Sequence, residues 1–276
     1  MISAMISNEI LEYAPTDKYL SPVSMKKSQL MHFDISNGSY NLFLDNIVSL
    51  IRQNISAYVC IANVHMFVEA HLSPLFANVI SRAQIVTPDG MPLTWALARL
   101  YGIKQKRVAG MDLLPDLLRI AVREQMPIFI YGGTNDLLFK AESYLQKNYP
   151  RLPLKGMYSP PFRKMTEDED NEIVNKINSS GARIVLVCLG CPKQEKWMAS
   201  MHGRINAIMI GIGGALPVLV GVKKRAPEWM QKRGLEWLFR LYQEPFRLFG
   251  RYAQTNSLFI YLMIREWIRI KLLGKK

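Results

Sequence analysis

The sequence predicts an α/β protein with a Rossmann-like, mainly parallel sheet that has helices on both faces. Three observations support this prediction. Short apolar runs of strand length each end in a glycine-rich or polar turn. A segment with helical periodicity follows each turn, which is typical of parallel strands joined by helical crossovers. Strand signals stop near Gly221, beyond which only helical patterns remain. The five runs cover residues 58–62, 84–86, 127–131, 184–189 and 207–212.

The remaining elements follow in chain order. A strand over residues 30–35 leads through a Ser-Asn-Gly turn into a helix over about 40–53. Further helices are predicted at about 64–82, 91–101, 112–125, 135–147, 167–179 and 193–202. A chain of 276 residues is long enough for one α/β core with an appendage. We therefore expect a loose N-terminal extension over residues 1–29, a Rossmann-like domain that carries the chemistry over 30–221, and a helical appendage over 222–276.

Basic residues are concentrated in the predicted appendage. The formal net charge is +13, and residues 222–276 hold thirteen Lys or Arg against four Glu, which is +9 of that total. Nucleic acid, an anionic membrane surface or a phosphorylated ligand would each explain such a basic segment. In residues 258–271, however, bulky apolar side chains interleave with Arg265, Arg269 and Lys271. This aliphatic stripe disfavours nucleic-acid binding.

The same interleaving predicts an amphipathic cationic helix. Its uninterrupted apolar stretch, residues 258–264, is far shorter than the ~20 residues that span a bilayer. We therefore expect the helix to lie in the membrane interface as a peripheral anchor. The alternative is that its apolar face packs on the core or, in a homo-oligomer, on a second subunit.

Metal and cofactor sites are not expected. Cys188 and Cys191 have metal-ligand spacing, but no second Cys pair or His cluster accompanies them. Together with Cys60 they are expected to be thiols in a reducing cytoplasm. Asp168-Glu169-Asp170 is better explained by a capping box formed by Thr166 and Glu169. Gly211-Ile212-Gly213-Gly214 lacks the third glycine and the following acidic residue of a dinucleotide site.

Asp89 is the strongest catalytic candidate. It ends a strand and precedes a helical segment, at the sheet edge where parallel α/β proteins bind ligands. One interpretation is that its carboxylate caps the helix. The other is that the carboxylate accepts a proton from an attacking hydroxyl. Asn at this position would retain the cap and lose the base, so the two roles can be separated.

Two further turns are candidate binding segments. Lys193 and Gln194 follow Pro192 at a predicted helix start, where backbone N–H groups and a Lys could bind a diphosphate. An ordinary capped helix with solvated side chains is the alternative. Gly132 and Gly133 either allow a ligand to approach the backbone closely or cap the helix that follows.

Six motifs occur in the order that is typical of one family. Together they resemble the WecG/TagA/CpsF family of bacterial glycosyltransferases, over about residues 58–251. The motifs are Pro88-Asp89-Gly90, Arg107-Val108-Ala109-Gly110-Met111-Asp112, Gly190-x-Pro192-Lys193-Gln194-Glu195, Arg225-Ala226-Pro227, Glu236-Trp237-Leu238-Phe239-Arg240 and Glu244-Pro245-Phe246-Arg247.

The resemblance implies an inverting, metal-independent transferase that uses a UDP-sugar donor and needs no cofactor. Its acceptor would be a polyprenyl-diphosphate-linked sugar at the cytoplasmic membrane face, during assembly of a surface polysaccharide. N-acetylmannosamine and a hexose such as glucose both remain open as the donor sugar, since Ile61 and Pro217 depart from the family's pattern. A non-catalytic, membrane-bound assembly or regulatory protein that retains the fold is the alternative.

The resemblance also assigns roles to individual residues. Asp89 matches the family's proposed catalytic base. The matched pocket residues are Asn63, Arg107 and Gln194. The arginines expected to fold over the site and meet a diphosphate are Arg240, Arg247 and Arg251.

Overall fold

The computed structural model describes residues 25–31 and 33–273. Strands and helices alternate along most of this part of the chain. The strands are β1 (Lys27–Leu30), β2 (Phe33–Ser36), β3 (Ala57–Ala62), β4 (Ile85–Pro88), β5 (Ile128–Gly132), β6 (Leu154–Tyr158), β7 (Ile184–Cys188) and β8 (Ile208–Gly211). The helices are α1 (Tyr40–Arg52), α2 (Val64–Leu72), α3 (Pro74–Ser81), α4 (Met91–Tyr101), α5 (Gly110–Arg123), α6 (Asn135–Asn148), α7 (Glu167–Ser179), α8 (Lys193–Met201), α9 (Ala215–Leu219), α10 (Glu228–Lys232), α11 (Glu236–Gln243) and α12 (Pro245–Leu273).

Six strands form one parallel sheet in the order β4-β3-β8-β7-β5-β6, which confirms the predicted fold class. The chain builds β3 and β4 first, crosses over to β5 and β6, and returns to fill the centre with β7 and β8. The strand order therefore reverses between the two halves. In such sheets ligands bind beyond the carboxyl ends of the strands near this reversal. The turns after β3, β4, β7 and β8 meet there.

Each of the five apolar runs overlaps a strand, but several details differ from the prediction. The predicted strand over 30–35 is a hairpin of β1 and β2, with Met31 in its turn at a φ of 56°. The predicted helix over 64–82 is split into α2 and α3 because Ser73 caps α3 and Pro74 begins it. The edge strand β6 was not predicted, since its sequence LKGMY has no continuous apolar run.

The N-terminal extension predicted over residues 1–29 lies mainly outside the described residues. Residues 25–31 are described, and β1 occupies Lys27–Leu30, so this part of the predicted extension is a strand. β2 packs beside β4, where the Ser36 hydroxyl accepts a hydrogen bond from Val86 N at 3.1 Å. The hairpin is thus attached to the edge of the main sheet.

Side chains of the central strands alternate between two cores, one on each face of the sheet. In β3, Tyr58 and Cys60 point into the core that contains α2, α3 and α8. Val59 and Ile61 point into the opposite core, with α1 and α5. All four are 5% exposed or less, which explains the continuous apolar runs.

Beyond Gly221 the described residues form helices only. α12 lies across α2, where Phe259 meets Phe67 edge to face with ring centroids 5.3 Å apart. Phe259 and Leu262 are 7% and 1% exposed, so they belong to the core on this side of the sheet. The alternative of core packing therefore applies to one face of α12. Its other face, including Ile260 and Ile264, stays exposed.

Candidate active site

A cavity of about 1260 Å³ lies at the carboxyl ends of β3, β4, β7 and β8. Its floor consists of the turns that follow these strands. Its cover consists of the segment of helices α10–α12. The predicted site residues that line it are Asn63, Asp89, Lys193, Gln194, Arg240, Arg247 and Arg251. The acidic Asp89 of the core and the basic residues Arg240, Arg247 and Arg251 of the appendage thus line one cavity, although they are far apart in the sequence.

Asp89 follows β4 and is held in place by its backbone. Its N–H donates to Ala62 O at 2.7 Å, which ties the end of β4 to the end of β3. The N-cap of α4 is Gly90, and no side chain caps this helix. Asp89 therefore does not cap α4, and the capping role considered from the sequence is wrong. Its carboxylate lies at the cavity wall instead.

The electrostatic surroundings of Asp89 suit a base. Burial raises the pKa of Asp89 to about 6, while the positive charges of Arg240 and then Arg107 act in the lowering direction. Glu236 and Asp112 raise it further. A carboxylate with a pKa near 6 is ionised at neutral pH, and it holds a proton more readily than an ordinary Asp.

Asn63 lies beside Asp89. It is the N-cap of α2, and its Oδ1 accepts a hydrogen bond from Met66 N at 3.1 Å. This bond fixes the side chain, so the amide NH₂ is the group left to meet a ligand in the cavity. The backbones of the two turns are close, because a Cβ built on Gly90 would lie 3.8 Å from Asn63 Cα.

The Gln194 side chain stabilises the floor of the cavity through hydrogen bonds. It is 4% exposed, and its Oε1 accepts a hydrogen bond from Gly190 N at 3.2 Å. Its Nε2 donates to Glu195 Oε1 at 2.7 Å. A Cβ on Gly211 would lie 2.9 Å from Nε2, so this position is filled by the Gln194 side chain. Burial raises the pKa of Glu195 to about 7.

Arg240 and Arg251 reach the cavity from the cover. A Cβ built on Gly214 would lie 3.7 Å from Arg240 Nη1, so the guanidinium stands directly over the turn after β8. The Nε of Arg251 is buried without a hydrogen-bond partner. A guanidinium with unused donors in a cavity is suited to bind an anionic ligand.

Arg247 is paired within the cover. Its Nε donates to Glu244 Oε1 at 3.0 Å, and Lys223 Nζ donates to Glu244 Oε2 at 2.8 Å. Counting all lining residues, the cavity has seven Lys or Arg against the three acidic residues Asp89, Glu236 and Glu244. The cavity is therefore cationic overall, which favours a ligand with several negative charges.

Arg107 lies beside the cavity and is not among its lining residues. Val108 N donates to Pro88 O at 2.9 Å, which places this segment next to β4. The Arg107 guanidinium pairs with Glu236 of α11 and with Asp112 of α5. Arg107 thus joins the core to the cover and acts on Asp89 through its charge.

Gly132 and Gly133 also lie outside the cavity lining. They follow β5, one strand beyond the reversal. A Cβ on Gly132 would lie 2.7 Å from the carbonyl of Cys188, so a glycine is needed for β5 and β7 to approach this closely. The role in ligand binding predicted for these two glycines stays a prediction.

Many residues that line the cavity were not predicted from the sequence, and Glu236 and Trp95 are two of them. Glu236 was noted only as part of a motif, and its spacing of four residues from Arg240 on one helix is the signal that could have identified it. Trp95 of α4 lines the cavity and is 50% exposed. Its sequence context gives no such signal, because a Trp within a helical stripe usually packs in a core.

Within the described ranges, no group of three or more His, Cys, Asp or Glu side chains is arranged to hold a metal ion. Cys60, Cys188 and Cys191 are free thiols. The capping box of Thr166 and Glu169 is confirmed, with both reciprocal hydrogen bonds present at the start of α7. No helix among residues 25–31 and 33–273 combines the length and the apolar character required to cross a bilayer.

The fold and the cavity define a Rossmann-like protein with a cationic cavity at the carboxyl edge of its sheet. Comparison with known proteins then gives the family. The model of the glycosyl transferase WecG/TagA/CpsF family matches residues 28–272, so this chain belongs to that family.

Two relatives share the name N-acetylglucosaminyldiphosphoundecaprenol N-acetyl-beta-D-mannosaminyltransferase. The protein of Bacillus subtilis (strain 168) is 30% identical over 226 residues, which is 81% of this chain and 86% of that protein. The protein of Staphylococcus aureus (strain MW2) is 26% identical over 248 residues, covering 89% and 95% of the two chains.

Proposed function

We propose that this protein transfers a sugar from a UDP donor to a polyprenyl-diphosphate-linked sugar, with inversion at the anomeric carbon and without a metal ion. N-acetylmannosamine is the first candidate for the transferred sugar, because the relatives are named for it. Glucose is the second candidate. The acceptor class also follows the names of the relatives, which act on an N-acetylglucosaminyl diphosphoundecaprenol.

The observation that carries the proposal is the pairing of Asp89 with Arg240 in one cavity. Asp89 is not used as a helix cap, and its carboxylate lies at the cavity wall. Arg240 is the cation with the largest effect on its pKa. The site therefore has a base and a fixed positive charge close together, as a substitution at an anomeric carbon requires.

The chemistry needs one base and one anion-stabilising group. The acceptor hydroxyl attacks the anomeric carbon, the bond from that carbon to the UDP oxygen breaks, and the hydroxyl proton passes to Asp89. Negative charge grows on the departing diphosphate, where the Arg240 guanidinium and backbone N–H groups at the start of α8 stabilise it. A single displacement of an α-linked nucleotide sugar gives a β-linked product, in agreement with the β-mannosaminyl names of the relatives.

The exposed residues and the charge of the cover favour a peripheral location of the protein at the cytoplasmic face of the membrane. Its bulky apolar side chains that point away from the cavity include Tyr242, Phe246 and Phe249, which are 85%, 103% and 67% exposed. They lie in the segment that also has a net charge of +9 over residues 222–276. Exposed aromatic residues among cations favour binding in the interface of an anionic leaflet.

The experiment measures transfer of labelled sugar from a panel of UDP-sugars to N-acetylglucosaminyl diphosphoundecaprenol in vesicles. We expect transfer from UDP-N-acetylmannosamine or UDP-glucose that persists in EDTA. Asp89→Asn should reduce kcat by about 10²–10⁴-fold, because the amide cannot accept the proton. The product linkage, determined by NMR, should be β.

Ser36→Ala is a matched control, since it changes a polar side chain next to β4 on the side of the hairpin and not at the cavity. It should leave kcat unchanged. Wild-type turnover by Asp89→Asn would exclude Asp89 as the base. Binding of UDP without turnover of any donor would instead support the alternative of a non-catalytic assembly or regulatory protein.

A further inference from the structure

The cavity extends beyond the charged site into an apolar groove between α4 and the C-terminal half of α12. We define this apolar groove by Trp95, Ile260, Met263, Ile264 and Trp267, all of which line the same cavity as Asp89. The cavity lining that α4 and the C-terminal half of α12 contribute is mostly aliphatic and aromatic, with Arg99 of α4 as its charged member.

The side chains of the apolar groove are unusually exposed for their size. Trp95 is 50% exposed, Ile260 56%, Ile264 53% and Trp267 46%. Leaving such apolar surface in water is unfavourable, and a concave wall of this kind is typical of a binding site. The neighbouring Phe259 and Leu262 are buried against the core, so the exposure is confined to one side of α12.

Along α12 the cavity changes from cationic to apolar. The lining residues Arg247, Arg251, Thr255, Phe259, Met263 and Trp267 follow one another at intervals of four, so they form a stripe that winds around the helix by about 40° per step. Arg251 and Trp267 are separated by about 24 Å along the helix axis, at 1.5 Å per residue. One end of the stripe suits a diphosphate and the other suits a hydrocarbon chain.

We propose that the apolar groove binds the first units of the acceptor's polyprenyl chain, next to the diphosphate. This inference rests on the proposed function and specifies how its lipid substrate is held. A charged section that continues into an apolar section matches a ligand with an anionic head and a hydrocarbon tail. The groove thereby guides the chain from the reacting sugar toward the membrane side of the cover.

Two other occupants would cover the same side chains. A second copy of this chain would bury them in a dimer, and membrane acyl chains would contact them without regard to the head group. Neither explains why the apolar groove is continuous with the cationic site. The aromatic residues Phe246 and Phe249, which do not line the cavity, are better placed for general membrane contact.

The test compares binding of farnesyl diphosphate and inorganic diphosphate to the full chain by isothermal titration calorimetry. Wild-type protein should bind farnesyl diphosphate at least tenfold more tightly. Ile264→Ala should weaken farnesyl diphosphate binding about fivefold, because it removes apolar contact surface, and leave inorganic diphosphate binding unchanged. The matched control is Ile268→Ala, one turn further along α12, which is 43% exposed and does not line the cavity.

Equal affinity for the two diphosphates, or equal losses in Ile264→Ala and Ile268→Ala, would overturn the inference. So would a change in oligomeric state on Ile264→Ala, measured by sedimentation, without a change in farnesyl diphosphate affinity. A different result would contradict the proposed function, namely that wild-type protein transfers no sugar to a lipid-diphosphate acceptor. Farnesyl selectivity that depends on Ile264 would still support the apolar groove in that case.

Discussion

The floor and the cover of the cavity are built in opposite ways. Floor residues lie at strand ends, where hydrogen bonds from backbone N–H groups fix them: Asp89 N donates to Ala62 O, and Gly190 N donates to the Gln194 side chain at Oε1. Glu195, directly below, is fully buried. In the cover, none of the residues of α10 or α11 is buried, and only α12 contributes side chains such as Phe259 and Leu262 to the core.

Ion pairs join the α11 side of the cover to the core, whereas α12 packs on the core through Phe259 and Leu262. Arg107 of the core pairs with Glu236 of the cover, and Asp112 of the core pairs with Arg225. The side chains of Arg225 and Asp112 are 35% and 38% exposed, so their pair contributes little stability, whereas those of Arg107 and Glu236 are 13% and 17% exposed. The strand ends can therefore hold Asp89 rigidly, while α11, which supplies Arg240 and has no buried residue, is held less firmly. This division suits the proposed transfer to a lipid-linked acceptor.

The largest effect of breaking this arrangement should come from Arg240→Ala. We expect kcat to fall about 10²-fold, since the variant loses the positive charge that meets the departing diphosphate. Removing the charge should also raise the pKa of Asp89 above about 6, because Arg240 is the cation that lowers it most. The measurement is kcat against pH in the vesicle assay.

Arg233→Ala is the control, because Arg233 is also a cover residue and does not line the cavity. It should leave both kcat and the pH profile unchanged. A loss of activity in Arg240→Ala without any movement of the pH profile would mean that Arg240 binds substrate and does not face Asp89.

The floor was largely predictable from the strand pattern, whereas the arginines of the cover were expected only through the resemblance to the family and not from any pattern in the helices. Asp89 and Asn63 could be placed because they end apolar runs, and the ends of parallel strands meet at one edge of a sheet. The burial that raises the Asp89 pKa could not be predicted, since it depends on residues that are distant in sequence. A glycine-rich turn alone does not tell whether a strand end belongs to the site. Gly132 and Gly133 follow β5, which lies one strand away from the cavity, and they do not line it.

The position of the cover required the structure because helix periodicity does not state what a helix packs against. The motif that ends in Arg240 identified this arginine as a candidate, and the amphipathic pattern predicted α12. The pattern could not reveal that Phe259 packs on Phe67 while Ile264 faces the cavity. For the same reason, removal of residues 252–276 would expose the core, and point substitutions are the better way to test this helix.

The pH dependence of kcat should report the ionisation of Asp89 in the floor of the cavity. The base acts in its ionised form, so kcat should rise with pH, with a midpoint at about pH 6, and level off above it. The rise between pH 5 and pH 7 is about tenfold for a single group with this pKa. A profile that is flat from pH 5 to pH 7 would contradict Asp89 as the base.

The same shift predicts an effect on stability. Since the folded protein raises the pKa of Asp89 above its unfolded value of 3.8, the protonated form is favoured on folding. Below pH 4 this contribution is fully present, and it is lost as pH rises through about 6. Asp89→Asn should therefore raise the Tm at pH 8 and have little effect at pH 4, measured by differential scanning calorimetry.

The smallest effect we expect is on vesicle binding, and it distinguishes the exposed apolar surface of the cover from that of the core. Phe249 of the cover and Phe139 of α6 are 67% and 69% exposed, so each can be replaced by Ser without loss of core packing. Phe249→Ser should weaken binding to vesicles containing phosphatidylglycerol about fivefold, because one aromatic contact with the interface is lost. Phe139→Ser should bind like wild type in the same cosedimentation assay. Equal binding by both variants and wild type would mean that this surface of the cover does not meet the membrane, whereas equal losses would mean that binding does not distinguish the cover from the core.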